Sequence, residues 1–412
     1  MDLAEVFVKV LGDDIDIEFV AFDGSKTGRI GSDTRLEVKS PRAVSAIVAA
    51  PGQLGVARAY VNGDLDFTGD VYTAFERLAA AAAEHRLSWS DKARLAKQFA
   101  PAALRRRPPP PPEEVRLSGR RHGKRRDAAA ISHHYDVSNT FYRWLLGPTM
   151  AYTCAVFPTA DATLDEAQDE KFDLVCRKLD LQPGMRLLDV GCGWGGMVRH
   201  ASANYGVKAI GVTLSRQQAE WGARMLQDEG LSGLAEVRHG DYRDVPESSF
   251  DVVSSIGLTE HIGKPNYPSY FQSLRSKLVD GGRLLNHSIT RSDTGAATLK
   301  RRGFINRYIF PDGELVHAGH LVDQMERASL EVQHEENFRV HYAMTLAKWS
   351  ENLDEHWDEA VAEIGLRKAR VWRLYLAGSR WGFVHNVIQL HQVLATRTSE
   401  GGVSGMPLRP KW

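Results

Sequence analysis

Apolar and polar positions follow two rhythms along this chain. In the first hundred residues the rhythm is mostly two. DIDIEFVAF alternates through Ile15, Ile17 and Phe19 and predicts a strand with one buried face, ending in turn chemistry at Asp23-Gly24. TRLEVKS, residues 34–40, repeats the pattern. SPRAVSAIVAA then reads as a helix with Ser40 as N-cap and Pro41 at its first position, and DVYTAFERLAAAAAEH as a second helix. A small α+β unit over residues 1–100 follows. Further on, short apolar runs take turns with helical stretches. Arg186–Val190, VKAIGVTL, LAEVRHG, SFDVVSSIG and GRLLNHSI read as strands, and MVRHASANY, SRQQAEWGARMLQDEG and YPSYFQSLRSKLVDGG as the helices between them. Ser215 caps the second of these helices and Gly230 follows its end. Strand and helix in alternation at such lengths predict a parallel, doubly wound α/β sheet.

Composition changes this picture in one place. The 412 residues carry 52 basic and 52 acidic side chains, so no whole-molecule field favours nucleic acid and only local clusters can attract an anionic surface. The cluster is PAALRRRPPPPPEEVRLSGRRHGKRR. Five consecutive prolines favour an extended spacer, and residues 101–128 are read as a basic, proline-rich linker. Between Arg105 and Arg126 nine Lys or Arg face two Glu. That excess suits phospholipid headgroups, at roughly 1 kcal/mol per basic residue near the surface, or a merely solvated linker. The stretch has no aromatic side chains for stacking bases, which disfavours RNA. Cys154, Cys176 and Cys192 form no CxxC pair, so neither a disulfide framework nor structural zinc is expected, and reduced thiols fit a cytoplasm. MDLAEVFVKVLGDD lacks the basic start and apolar core of a secretory signal, and no run approaches the roughly 20 apolar residues of a membrane span.

The chemistry concentrates in LLDVGCGWGG. Gly191, Gly193 and Gly196 satisfy GxGxxG at a strand-to-helix junction, where bare backbone and a helix N-terminus can receive a nucleotide or nucleoside. A tight turn with no ligand is the plainer alternative. A dinucleotide site would want an acid about 20 residues on, at the end of the second strand. That strand ends GVTLSRQQ, with no acid before Glu220. Asp189, just before the first glycine, suits the aminoacyl and ribose portions of S-adenosylmethionine instead. Polar Thr213, Ser215 and Gln218 stand where a generic methyltransferase prefers an acid.

Several blocks in order, HHYDVSNTFYRWLLGPTMAYTCAVF, LLDVGCGWGG, GVTLSRQQ, DYRDV, SIGLTEHIGKPNYPSYF, FINRYIFPDGEL and HYAMTLAKW, resemble the cyclopropane-fatty-acyl-phospholipid synthase and mycolic-acid cyclopropane synthase family. They run from about residue 132 to 350. GVARAYVNGDLDF is similar to the lipid-associated extra domain of the phospholipid-acting branch. The resemblance implies a Rossmann-like class I methyltransferase sheet in a catalytic domain over 129–412. It also implies transfer of the S-adenosylmethionine methyl to a cis double bond of an acyl chain. Gln218 then holds the ribose side, Tyr152 and Thr153 close over the methionine end, Gly191 and Gly193 approach the carboxypropyl portion, and Asp241 and Tyr242 stand near the adenine. A bound bicarbonate is implied as base, with Cys154, Glu260, His287, Tyr342 and the backbone at Ile289 as its ligands.

An alkene is a weak nucleophile, so the activated methyl must be held in line with it in a water-free pocket. The resulting carbocation loses a proton either from the new methyl, closing a cyclopropane, or from the chain, leaving a methylene that a separate reductase could turn into a methyl branch. HHYDVSNTFY, YTCAVFP and the linker resemble the actinobacterial branch that forms 10-methylene or 10-methyl stearate. Competing functions are an O- or N-methyltransferase of a small molecule and an inactive lipid-binding protein. Individual residues have plainer readings. Cys154 alone reads as a small buried apolar residue, His261 as a structural hydrogen-bonding group or a second ligand, and Trp194 as packing near the cofactor. His133 and His134 lack the partners of a zinc site. Aromatics in FINRYIF and VWRLYLAGSRWGF fit a core, or in this family an acyl tunnel. The expected setting is the inner face of a membrane, peripherally bound, with unsaturated phospholipid as substrate.

Overall fold

The computed structural model describes residues 1–85, 87–104, 109–115, 117–124, 126–127, 138–292 and 303–412. The chain forms two compact units. The first comprises Met1–Arg116, Arg301–Ile309 and His356–Trp381, and the second Leu117–Lys300, Phe310–Glu355 and Gly382–Trp412. Segments from the C-terminal half therefore belong with the N-terminal sheet, where the sequence reading put all of 129–412 in one catalytic domain.

The first unit holds strands β1 (Glu18–Ala21), β2 (Lys26–Gly28), β3 (Arg35–Val38) and β4 (Leu65–Thr68) in the order β2-β1-β3-β4. Ile15, Ile17 and Phe19 are all buried as their alternation predicts, but strand pairing starts only at Glu18. Ser40 Oγ accepts the amide of Arg42 and caps helix Pro41–Ala49. Asp70 caps Val71–Glu84. Helix Trp89–Leu104 runs through Pro101, past the expected start of the linker. The later segment is fastened by Arg370, which donates to the Tyr60 carbonyl at 2.9 Å and to Asp66 at 3.0 Å. The proline run does not lead into free chain either: Glu114, buried, takes a two-pronged hydrogen bond from Arg58 at 2.9 Å on each oxygen.

The second unit holds β5 (Arg186–Val190), β6 (Lys208–Thr213), β7 (Ala235–His239), β8 (Phe250–Ile256), β9 (Leu278–Arg291), β10 (Glu331–Asn337) and β11 (Ile388–Thr396). Their order is β10-β11-β9-β8-β5-β6-β7. The strands from β9 to β7 pair in parallel, as predicted. β11 departs from that pattern, running antiparallel to both β9 and β10. Leu187, Leu188, Val212, Val252, Val253, Leu284 and Leu285 are buried, as the apolar runs of a sheet covered on both faces require. The order reverses beside β5, and the loops after β5 and β8 open onto the resulting crevice, where ligands of open α/β sheets bind.

The described part of the expected linker that belongs to this unit is folded onto it. Arg121 pairs with Glu314 at 2.9 Å and Asp312 at 3.3 Å, Arg126 grips Asp312 at 2.5 and 3.0 Å, and Lys124 pairs with Asp244 at 2.6 Å. Acids that sequence spacing cannot reveal thus neutralise these cations. His133 and His134 lie outside the described residues. Among the described residues no helix is long and apolar enough to cross a membrane.

Candidate active site

A cavity of about 230 Å3 opens at the crevice. Of the residues expected at the cofactor, Tyr152, Thr153, Gly191, Gly193, Thr213, Gln218, Asp241 and Tyr242 line it. Asp189 and Ser215 do not. Asp189 is buried and accepts from Ser254 Oγ at 2.7 Å, and Ser215 caps helix Arg216–Asp228 by accepting the Gln218 amide. Burial raises the Asp189 carboxyl to about 6, with Ser254 and Lys171 opposing. The Thr213 hydroxyl donates to Gln218 Oε1 at 2.7 Å, so Gln218 presents its amide nitrogen toward Gly193. Burial works against the Asp241 carboxylate, yet Arg243, hydrogen-bonded to both oxygens, holds its pKa below the usual range. His122 and Asp127 of the folded linker, with its partner Asp312, stand at the cavity edge.

The glycines of the loop serve different purposes. A Cβ on Gly195, which has φ +84°, would come within 2.8 Å of Val237 Cγ2, and one on Gly196 within 2.8 Å of the Phe172 ring. Gly193, at φ +55°, would meet only Gln218 Nε2 at 4.0 Å. Close packing against β7 and helix Leu164–Leu179 therefore excludes side chains at 195 and 196, whereas at 193 the backbone conformation disfavours one and a Cβ would enter the cavity. Gly193→Ala is expected to weaken S-adenosylmethionine binding by about tenfold at a backbone cost of about 1–2 kcal/mol. Gly195→Ala adds a clash and is expected to destabilise by a further ~1–3 kcal/mol. Titration calorimetry with thermal unfolding separates the two, and full affinity in Gly193→Ala would remove this role for the cavity wall.

Cys154, Glu260, His287, Ile289 and Tyr342 lie behind the cavity wall, off its lining. Tyr152 and Thr153 face the cavity, whereas the next residue, Cys154, sends its Sγ toward the carbonyls of Ala155 at 3.2 Å and Phe338 at 3.8 Å. Phe338 leads into helix Arg339–Glu355, where Tyr342 is buried against Phe383 with ring centroids 4.4 Å apart. His261 and Ile262 line the cavity, but Glu260 between β8 and α-helical Ile262 turns to β9, accepting the Ile289 amide at 2.6 Å. His287, two residues before Ile289, bonds through its carbonyl to the Gly257 amide at 2.8 Å. Thr153 Cγ2 lies 3.1 Å from where a Gly257 side chain would begin. Cys154 Sγ and the Tyr342 amide both meet the Phe338 carbonyl, Glu260 meets Ile289 two residues after His287 on β9, and Gly257 touches both the His287 carbonyl and Thr153, the neighbour of Cys154.

Two atoms of this region stand out. Glu260 Oε2 and His287 Nε2 are buried and have no hydrogen-bond partner among the described residues. A buried polar atom without a partner is costly, so a small polar ligand suits the place. Burial raises the Glu260 carboxyl to about 7, against the Ile289 amide. Burial holds His287 neutral, and the charges of Lys171 and Lys178 push the same way.

Sequence reasoning missed the supports of this wall. Helix Leu164–Leu179 buries Gln168, Lys171 and Lys178 completely. Gln168 Nε2 donates to the carbonyls of Ala151 at 3.3 Å and Thr153 at 2.9 Å, and Lys171 Nζ to Thr153 Oγ1 at 2.9 Å. A glutamine and two lysines at helical intervals give no apolar signal. His261 falls on the cofactor side: its ring meets Phe310 edge-on, and burial lowers it to about 4. The Trp194 indole donates to Asn139 Oδ1 at 2.8 Å. FINRYIF begins in the first unit, where Phe304 and Tyr308 pack together.

Known proteins are similar to this chain in sequence and fold. A probable fatty acid methyltransferase of Mycobacterium tuberculosis is 52% identical over 405 residues, 96% of this chain and 94% of that protein. The cyclopropane-fatty-acyl-phospholipid synthase of Escherichia coli is 36% identical over 70% of this chain and 74% of its own. The crystal structure of the mycolic acid cyclopropane synthase CmaA1, complexed with SAH and CTAB, is 32% identical with a TM-score of 0.61, covering 65% of this chain and 97% of that one. Residues 122–393, which contain the cavity, the glycine loop and both groups behind the wall, match the mycolic acid cyclopropane synthetase family, and the chain belongs to it.

Proposed function

We infer that this chain methylates the cis double bond of an acyl chain carried by a phospholipid, with S-adenosylmethionine as donor and a small oxyanion, bicarbonate, held between Glu260 and His287. The chain is an S-adenosylmethionine-dependent methyltransferase of unsaturated fatty acyl chains, in keeping with its family and relatives. The observation that carries the finer reading is the pair of buried, partnerless atoms, Glu260 Oε2 and His287 Nε2, behind the wall of a nucleoside-sized cavity. One is an acceptor when ionised and the other a donor when protonated, the set an anion bearing one O–H requires. Cys154 and Tyr342 complete the proposed cage, and the Ile289 amide holds Glu260 in place.

The C–S bond of the sulfonium methyl breaks as the alkene electron pair forms the new C–C bond, leaving S-adenosylhomocysteine and a carbocation. Bound bicarbonate would supply the base for the proton then lost. Tyr342, Phe383 and Trp349, packed together beside the proposed cage, would exclude water from that cation. Loss from the chain yields a methylene, which we favour as the product and which a separate reductase could convert to a methyl branch. Work at the inner membrane face, as a peripheral protein, follows from the substrate. Of the linker cations, Arg121, Lys124 and Arg126 are paired with acids of their own unit, so attraction to that surface rests on the others.

Purified enzyme with S-adenosylmethionine and vesicles of cis-monounsaturated phosphatidylglycerol is expected to add one carbon per acyl chain by mass spectrometry. Proton NMR then separates an exocyclic alkene from a cyclopropane ring. Unaltered acyl chains with bound cofactor would overturn the reading, as would methylation of a polar small molecule in their place.

A further inference from the structure

His287 has its Nδ1 3.2 Å from the side-chain nitrogen of Gln392, on the neighbouring strand β11. An amide can offer either its oxygen or its nitrogen to an imidazole, so this contact alone leaves the tautomer open. The choice is made one residue further out. Lys178 Nζ lies 2.7 Å from Gln392 Oε1 and 2.6 Å from Glu336 Oε2. An ammonium group only donates, so the oxygen of Gln392 must face Lys178 and its NH2 must face His287. Nδ1 then accepts, and the proton of a neutral imidazole sits on Nε2, the buried atom without a partner among the described residues. Lys178 is fully buried while Glu336 is 41% exposed, so the chain of bonds runs from the protein surface to the site.

We propose that Lys178 and Gln392 are positioning residues that fix His287 as an Nε2–H donor aimed into the site. The proposal rests on the reading above that the site receives an oxyanion, which an Nε2–H attracts and an Nε2 lone pair repels. Neither residue touches the reacting atoms. Burial works to lower the pKa of Lys178 and the Glu336 carboxylate opposes it; Lys178 as donor sets the amide, and the amide sets the imidazole.

The test is the tautomer itself. Two-bond 1H–15N correlation spectra of enzyme labelled at histidine, with S-adenosylmethionine bound and the His287 signal assigned by its loss in His287→Gln, are expected to show Nε2 protonated. In Gln392→Glu a carboxylate that only accepts replaces the amide, so the proton is expected to move to Nδ1. Product formation is expected to fall by about 100-fold, with the cofactor Kd unchanged within about twofold. Gln392→Met, which neither donates nor accepts at that point, is expected to give both tautomers. Lys178→Met buries no charge but can disturb folding, so the glutamine variants carry the test. A wild-type spectrum with Nδ1 protonated, or an unchanged spectrum in Gln392→Glu, would overturn the proposal. Rates measured with and without added bicarbonate in carbon-dioxide-free buffer test the anion separately: the predicted tautomer shift without bicarbonate activation upholds the positioning role and removes bicarbonate from the site.

Discussion

Glu260→Gln is expected to lower product formation by about 100- to 10,000-fold, the range for loss of a group serving proton transfer, while leaving S-adenosylmethionine affinity nearly unchanged. Glutamine keeps the bond to the Ile289 amide through its oxygen, and Glu260 does not line the cofactor cavity. What it loses is the carboxylate at Oε2. The same variant is expected to be more stable than the parent at alkaline pH. Folded Glu260 keeps its proton up to about pH 7, whereas the unfolded side chain releases it near 4.5. Between those values the native state binds more protons, so this group's contribution to stability falls as pH rises and is lost above about 7. The difference in unfolding free energy between variant and parent should therefore grow from pH 4.5 to 7, toward about 3 kcal/mol. Urea titrations at pH 5 and 8 measure it. A difference that shrinks with pH, or product formation within tenfold of the parent, would remove Glu260 from this role.

Lys171→Met is expected to stabilise the protein near pH 6 and to weaken cofactor binding. The lysine is fully buried, with Thr153 its hydrogen-bond partner among the described residues and the Phe172 ring 3.7 Å from its Nζ, and burial lowers it to about 7 from 10.5, against attraction from Cys154 and Asp189. Here the unfolded state binds more protons between pH 7 and 10.5, so parent stability from this group rises across that window. Below 7 it carries the full cost of a buried cation. A methionine of similar size removes a cost of about 3–5 kcal/mol there, less the bond to Thr153. Losing that donor frees the Thr153 side chain on the cavity wall, and the cofactor Kd is expected to rise by about tenfold. Denaturant midpoints of both proteins at pH 6 and 10 should converge at the higher pH. A variant less stable at pH 6 would mean that the amine is held by more than Thr153.

The two rhythms of the sequence carry the sheet because a strand buried on both faces is largely apolar, as Leu187, Leu188 and Val190 of β5, Val212 of β6 and Val252 and Val253 of β8 are. β11 was not anticipated: antiparallel pairing leaves no mark on a short apolar run. At the site, Gly193, Thr213 and Gln218 were readable because they occupy a strand–loop–helix junction whose geometry the local sequence dictates. Glu260 and His287 came through family resemblance, since nothing in their own surroundings distinguishes them from other strand-end polar residues. Lys171 and Lys178 were opaque, because a lysine on a charged helix looks solvated until its partners in distant segments are known. Arg121, Lys124 and Arg126 were opaque for the same reason, as charge in a sequence does not disclose the acids that meet it.

Arg370 reaches Asp66 across 304 residues of chain, so the first unit cannot be finished when its own sheet leaves the ribosome. At about 5–20 residues per second, roughly 15–60 s pass before its closing helix is even synthesised. Through that interval the newborn N-terminal half stands with that flank uncovered.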